Sequence, residues 1–202
     1  PKPVTDLPPV GPNAPSRHVV PNDSRVQDEV TLAQTLTLTR THPDYYALEF
    51  GNHILSGAFY ASRLYRDLRE NAGLVYTVGS ELQAGKHRSV FSVSYGCDPP
   101  NVSKARTMVE QNLRLLQTRP IKTSELKRAK ILLVHQIPLA NASLNSIAGG
   151  LLSRSTLDLP LDEPLRAAKR YRSMTATRVR DAFKKWIRPE GFVQVTEGPD
   201  GN

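Results

Sequence analysis

The sequence predicts an α+β fold: a two-layer sandwich in which a mostly antiparallel sheet carries helices packed on one face. Three observations predict it. Residues 30–38 alternate apolar and polar with period two, the mark of a half-buried strand. Segments with helical spacing follow in runs, at 44–71 and again from about 99 to 187. Between and after these runs come a strand–turn–strand pattern at 74–97 and a last short strand at 191–197. The order β-α-α-β-β-α-α-α-α-α-β lacks the regular βαβ alternation of a parallel sheet, and no internal repeat is present.

Each element has its own justification. Residues 1–25, rich in proline, asparagine and serine, read as an extended arm or linker, with a single domain expected over residues 26–198. The opening "PKPVTDLPPVGPNAPS" leaves room for a segment upstream. In "VQDEVTLAQTLTLTR", Val30, Leu32, Gln34, Leu36 and Leu38 share one side, against Thr31, Ala33, Thr35, Thr37 and Thr39. A Pro-Asp start signal then opens a helix with Tyr46, Phe50 and Ile54 at i, i+4, i+8, ending at Gly57. A second helix is expected from about Ala58 to Asn71, with Tyr60, Leu64 and Leu68 as its apolar stripe. Gly73 should end it, because glycine enters the left-handed region without steric cost.

"LVYTVGSELQAGKHRSVFSVSYGCD" reads as two antiparallel strands joined near Gly85 and Lys86, with Phe91, Val93 and Tyr95 on one face. "DPPN" opens the next helix, which runs to about Thr118 on Val102, Met108, Val109, Leu113 and Leu116. Another starts near Thr123. "NASLNSIAGGLLSR" is helical in pattern but interrupted by Gly149 and Gly150, which could make it a joint. "DEPLRAAKRYRSM" and "TATRVRDAFKKWI" are the last two helices, the final one capped by Thr175.

Composition excludes several function classes. No stretch approaches the roughly 18 apolar residues of a membrane span. Cys97 is the only cysteine, so no intrachain disulfide forms and the redox compartment stays open. His18, His42, His53, His87 and His135 are scattered, and no two share the i, i+3 or i, i+4 spacing of metal ligands on a helix. The formal charge is +8, with nine lysines and arginines between Arg166 and Arg188. Such a run can face nucleic acid or an anionic lipid surface, but no RNA-binding sheet motif, GXXG loop or zinc-finger spacing accompanies it. A solvated helix face, or one that docks an acidic partner, is the simpler reading. Glu70 and Glu81 read as surface charges. Ser62 lacks the Gly-x-Ser-x-Gly elbow of a nucleophile.

The stretch "LYRDLRENAGLVYTV" sets Arg69 in a last helical turn and Tyr76 at a strand start. Position alone suits an ordinary role for each: arginine at a helix C-terminus complements the macrodipole, and tyrosine is at home in a strand. The surrounding motif weighs the other way. "PDYYALEFGNHILSGAFYASRLYRDLRENAGLVYTVGS" resembles the second-half signature of the pitrilysin/insulinase family of zinc metallopeptidases, in its processing-peptidase branch. The residues that carry the likeness are Asn52, Gly57, Ser62-Arg63-Leu64, Leu68-Arg69-Glu70, Gly73-Leu74 and Tyr76, then Glu125, Leu126, Ala129 and Lys130 in "TSELKRAK". It spans roughly residues 16–196.

The resemblance implies the processing-peptidase-like metallohydrolase fold and the metal-free C-terminal half of a two-domain peptidase. No His-x-x-Glu-His motif occurs in the chain. It implies no metal or cofactor here, zinc in a zinc-bearing N-terminal domain or partner subunit, a peptide substrate, and association within one polypeptide or as a homo- or hetero-dimer. It implies that Arg69 and Tyr76 bind a substrate carbonyl near the scissile bond, with no catalytic residue in this chain itself. Two alternatives stay open: a structural family member without proteolytic role, and, less favoured, a basic nucleic-acid-binding domain. The compartment is open, with a bacterial periplasm or cell envelope as one candidate.

Overall fold

The computed structural model describes residues 10–199. Five strands form one open sheet: β1 (Ser16–Pro21), β2 (Asp28–Leu36), β3 (Thr77–Ala84), β4 (Ser89–Cys97) and β5 (Val193–Gly198), in spatial order β1-β5-β2-β4-β3. All neighbours are antiparallel except β1 and β5, which run parallel. The helices are α1 (Tyr45–Asn52), α2 (Val102–Thr118), α3 (Thr123–Leu139), α4 (Leu144–Thr156), α5 (Glu163–Arg172) and α6 (Ala176–Trp186).

The period-two pattern does what it predicts. Val30, Leu32, Gln34 and Leu36 of β2 are buried, as are Phe91, Val93 and Tyr95 of β4, while Thr31, Thr35, Ser92 and Ser94 on the opposite face are half-exposed. Helices therefore cover one face and leave the other open, as expected for a half-wetted antiparallel sheet. Gln34 is the polar exception on the inner face. At 1% exposure it is satisfied by backbone: its Oε1 accepts the Arg188 amide at 3.0 Å. Phe183 of α6 packs on Phe91 with ring centroids 6.3 Å apart, and α6 lies against both α1 and α2.

Three differences from the sequence expectation have physical causes. Residues 16–21 lie within the stretch expected as an arm, yet they form the edge strand β1 against β5. Both faces of that strand are largely exposed, so its side chains carry no burial pattern to read. Residues 10–15 are also tied down, since Asn13 bonds Thr35 and the Gly191 carbonyl (2.8 Å); residues 1–9 lie outside the described residues. The second helix does not begin at Ala58. Residues 59–61 form a tight three-residue turn, and Tyr60 is exposed, its ring edge-on to Tyr65 at 4.9 Å. Wide turns of π type occupy His53–Gly57 and Tyr65–Asn71. Finally, α4 runs unbroken through Gly149 and Gly150, so this stretch is one helix.

Two glycines are required for different reasons. Gly73 has φ of 60° with open space around its missing side chain, so only backbone conformation constrains it. Gly51 lies where α1 meets α6, and a Cβ there would sit 2.1 Å from Phe183 Cε2. Urea unfolding should separate the two. Gly73→Ala is expected to cost about 1–2 kcal/mol with Gly73→Asn milder, because asparagine tolerates this region. Gly51→Ala should cost about 1–3 kcal/mol by overpacking, since fully buried Phe183 has nowhere to move.

Candidate functional site

The wide helix 65–71 ends as the sequence predicts. At Gly73 the chain reverses, the Gly73 amide donates to the Arg69 carbonyl at 3.2 Å, and the Leu74 amide donates to the Leu68 carbonyl at 2.9 Å. Leu68 and Val75 are buried on either side of the turn and anchor it to the core. The Tyr76 amide then donates to the Gly96 carbonyl at 2.8 Å, which starts the pairing that β3 and β4 continue.

The turn therefore carries Arg69 on its helical limb and Tyr76 on its strand limb, both accessible to solvent. Each tip has its own neighbour. The Arg69 guanidinium lies 5.0 Å from the ring centre of Tyr65, within cation–π range. The Tyr76 hydroxyl donates to the Asp98 carboxylate, 2.9 Å from Oδ2 and 3.0 Å from Oδ1, with the tyrosine 47% exposed. That hydrogen bond, with smaller contributions from desolvation and the Asp98 charge, raises the phenol's pKa and keeps it a donor.

Sequence reasoning did not single out Tyr65 or Asp98. Tyr65 is one turn before Arg69 and was open to discovery from helical spacing. Asp98 is 22 residues from Tyr76, and only the register Thr77↔Gly96 brings the two together.

The rest of the motif is structural. Arg63 is buried and grips Glu125 of α3 with two bonds of 2.8 Å, Nε to Oε1 and Nη2 to Oε2. Glu125 Oε2 also accepts the Lys122 amide at 3.1 Å, so one carboxylate caps α3 and docks the wide helix. Asn52 accepts from the Ser80 hydroxyl at 2.7 Å, tying the end of α1 to β3. Ser62 is buried, while Glu70 and Glu81 are exposed. His53 is buried, its Nε2 has no partner among the described residues, and burial lowers its pKa, keeping it neutral. Cys97 is wholly buried, and burial together with the nearby acids raises its thiol to about 12.

For a metal, the residues do not fit. Among the described residues no group of three or more His, Cys, Asp or Glu side chains is placed so that it could hold a metal ion, and the five histidines lie on separate segments. Among the described residues no helix is long and apolar enough to cross a membrane. The surface of α4 is unusual: none of its residues is buried, and Leu144 (85% exposed), Ile147, Leu151 and Leu152 (69%) face solvent. Isolated leucines at a surface are ordinary; here four large apolar side chains are exposed on one short helix.

The family model described as the peptidase M16 inactive domain matches residues 1–133 of this 202-residue chain. Among solved structures, the chain is similar to a peptidase M16 inactive domain from Pseudomonas fluorescens, with 25% identity and a TM-score of 0.87 over 98% of this chain and 47% of that one. It is similar in fold to a protease from Helicobacter pylori, with 18% identity and a TM-score of 0.79 over 91% of this chain and 44% of that one. A chain of Complex III2 from Candida albicans shares the fold at 13% identity and a TM-score of 0.77, over 92% of this chain and 46% of that one. The chain thus spans less than half the length of these matches. Among curated proteins no match was found.

The Arg63–Glu125 pair has a pH signature. Burial alone would raise the Glu125 carboxyl, but the Arg63 fork and the Lys122 amide outweigh it and hold the pKa below the usual value of 4.5. A carboxyl depressed in the folded state adds stability above its unfolded pKa and loses it as pH falls through the folded value. Urea midpoints should therefore fall more steeply below about pH 4.5 in the unaltered chain than in Glu125→Gln. Parallel pH curves would show that the pair adds nothing to folding.

Proposed function

The chain belongs to the family of the peptidase M16 inactive domain, and from that membership we propose that it is the metal-free, substrate-binding half of a zinc metalloendopeptidase. A zinc-bearing domain or subunit closes over it, and the metal's chemistry belongs to that partner. The contribution of this chain is a pair of donors. The observation that carries the reading is the placement of Arg69 and Tyr76 on the two limbs of one glycine-terminated turn, with both side chains solvent-accessible and their backbones anchored.

The chemistry is hydrogen-bond donation to a peptide carbonyl. Guanidinium is permanently charged with a fixed fork of donors, and the phenol adds one directional O–H. A carbonyl that gains negative charge during amide cleavage is stabilised most by donors already in place. Tyr76 donates to Asp98, so engaging a substrate requires its O–H to turn from that carboxylate toward the carbonyl. Arg69 rests on Tyr65, which limits the freedom lost when it binds. The exposed stripe of α4 supplies an apolar surface for closure of the zinc-bearing domain.

Peptide cleavage by the chain together with its zinc-bearing partner tests the assignment. Arg69→Ala and Tyr76→Phe should each lower turnover by about 10²–10³-fold, with zinc content and complex formation unchanged. Unchanged turnover in both variants favours the second reading, a structural member of the family. That reading draws on two observations: both side-chain tips already have intramolecular neighbours, and the same fold occurs in a chain of Complex III2.

A further inference from the structure

The layer formed by α5, α6 and the start of α1 contains a cleft that peptide-carbonyl binding does not use. Two hollows, of about 560 and 360 Å³, have Tyr46 and Arg170 in the walls of both. Volumes of this order are those of ligand sites.

Their charge is unbalanced in a specific way. Every carboxylate in the walls is already engaged: Asp44 by Lys185 and Trp186 (both 2.9 Å), Asp162 by Arg166 (2.8 Å), Glu163 by Arg40 (2.6 Å) and Tyr46, and Asp181 by Arg180 (2.8 Å). Lys169, Arg170 and Arg178 line the same walls, are exposed, and have no acidic partner among the described residues. They are also ordered along the cleft. Lys169 borders the larger hollow, Arg170 both, and Arg178 the smaller.

We propose that this cleft binds an acidic segment of a polypeptide, whose successive carboxylates pair with Lys169, Arg170 and Arg178. A row of cations spread over two joined hollows suits a linear polyanion better than a single compact anion. The walls favour a peptide over a nucleic acid. Ala47, Met174 and Ala182 are buried apolar groups that suit aliphatic side chains between carboxylates. The one aromatic wall residue, Tyr46, meets Tyr171 edge-on at 5.7 Å and has its hydroxyl committed to Glu163, so it offers no free stacking platform for a base. With four acids neutralised internally, the three free cations set orientation and encounter rate by charge complementarity.

Fluorescence anisotropy of a labelled peptide of about ten residues, alternating glutamate with alanine and leucine, tests this at roughly 0.15 M salt, where charges farther apart than about 8 Å are largely screened. The unaltered chain should bind it saturably. The triple variant Lys169→Glu/Arg170→Glu/Arg178→Glu should weaken binding about tenfold or more. Lys104→Glu/Arg119→Glu/Lys127→Glu changes net charge equally elsewhere on the surface and should cost less than about twofold. Melting temperatures establish that both variants fold. Should the triple reversal disturb folding, the single neutralisations Lys169→Gln, Arg170→Gln and Arg178→Gln give the same readout, each weakening binding measurably. Equal losses in both triple variants, no saturable binding by the unaltered chain, or equally tight and equally cleft-dependent binding of a single-stranded RNA of about ten nucleotides would each overturn the proposal.

Discussion

The pairing of β2 with β4 is the constraint from which the rest of the molecule follows. Nine residues of each strand lie in register, Asp28↔Cys97 through Leu36↔Ser89, and both strands bury alternate side chains on the same face. A slip of one residue would turn Val30, Leu32 and Leu36 to water and draw Thr31 and Thr35 inward, so the register is strongly specified. It propagates: β3 takes its position from β4, and the amide of Tyr76 finds the carbonyl of Gly96 only in that frame. The relation between the phenol and Asp98 is thus inherited from the hydrophobic pattern that sets β4 in register with β2.

The helical layer is joined to this frame by a few short-range devices. Gly51 admits the ring of Phe183, bringing α1 and α6 together over Phe91. Arg63 and Glu125 connect the wide helix to the N-terminus of α3, while Asn52, Ser56 and Ser80 connect the end of α1 to β3. The Arg63–Glu125 link holds the helix that leads into the turn at Gly73, and the Tyr76 amide bond to Gly96 holds the strand that leaves it. Its two exposed side chains therefore project from backbone held on both limbs, an arrangement suited to donors whose value depends on being positioned beforehand.

What could be read from the sequence follows from how each signal is encoded. The alternation of β2, the glycine stop at residue 73 and the Thr175 cap, whose hydroxyl accepts the Arg178 amide at 3.2 Å, are local signals and were legible. Strand β1 was not, because an edge strand wet on both faces has no preferred residue types to display. Tyr60 misled, since its spacing with Leu64 and Leu68 fits a helix that starts only after the tight turn at 59–61. The turn bearing Arg69 and Tyr76 was legible as a motif. The partners of those residues were divided: Tyr65 lies within helical reach, but Asp98 depends on a strand register that no local pattern states. Arg63 and Glu125 were both picked out by the motif, yet their mutual grip is a tertiary fact.

The parallel pairing of β1 with β5 has a practical bearing on how the domain is delimited. Cutting the chain before residue 26, where its proline-rich character fades, would strip away the outermost ribbon and lay bare the backbone flank of β5. An uncovered flank of that kind invites ribbons from other molecules. The unassuming early residues thus form the hem of the sheet and belong within the domain's limits.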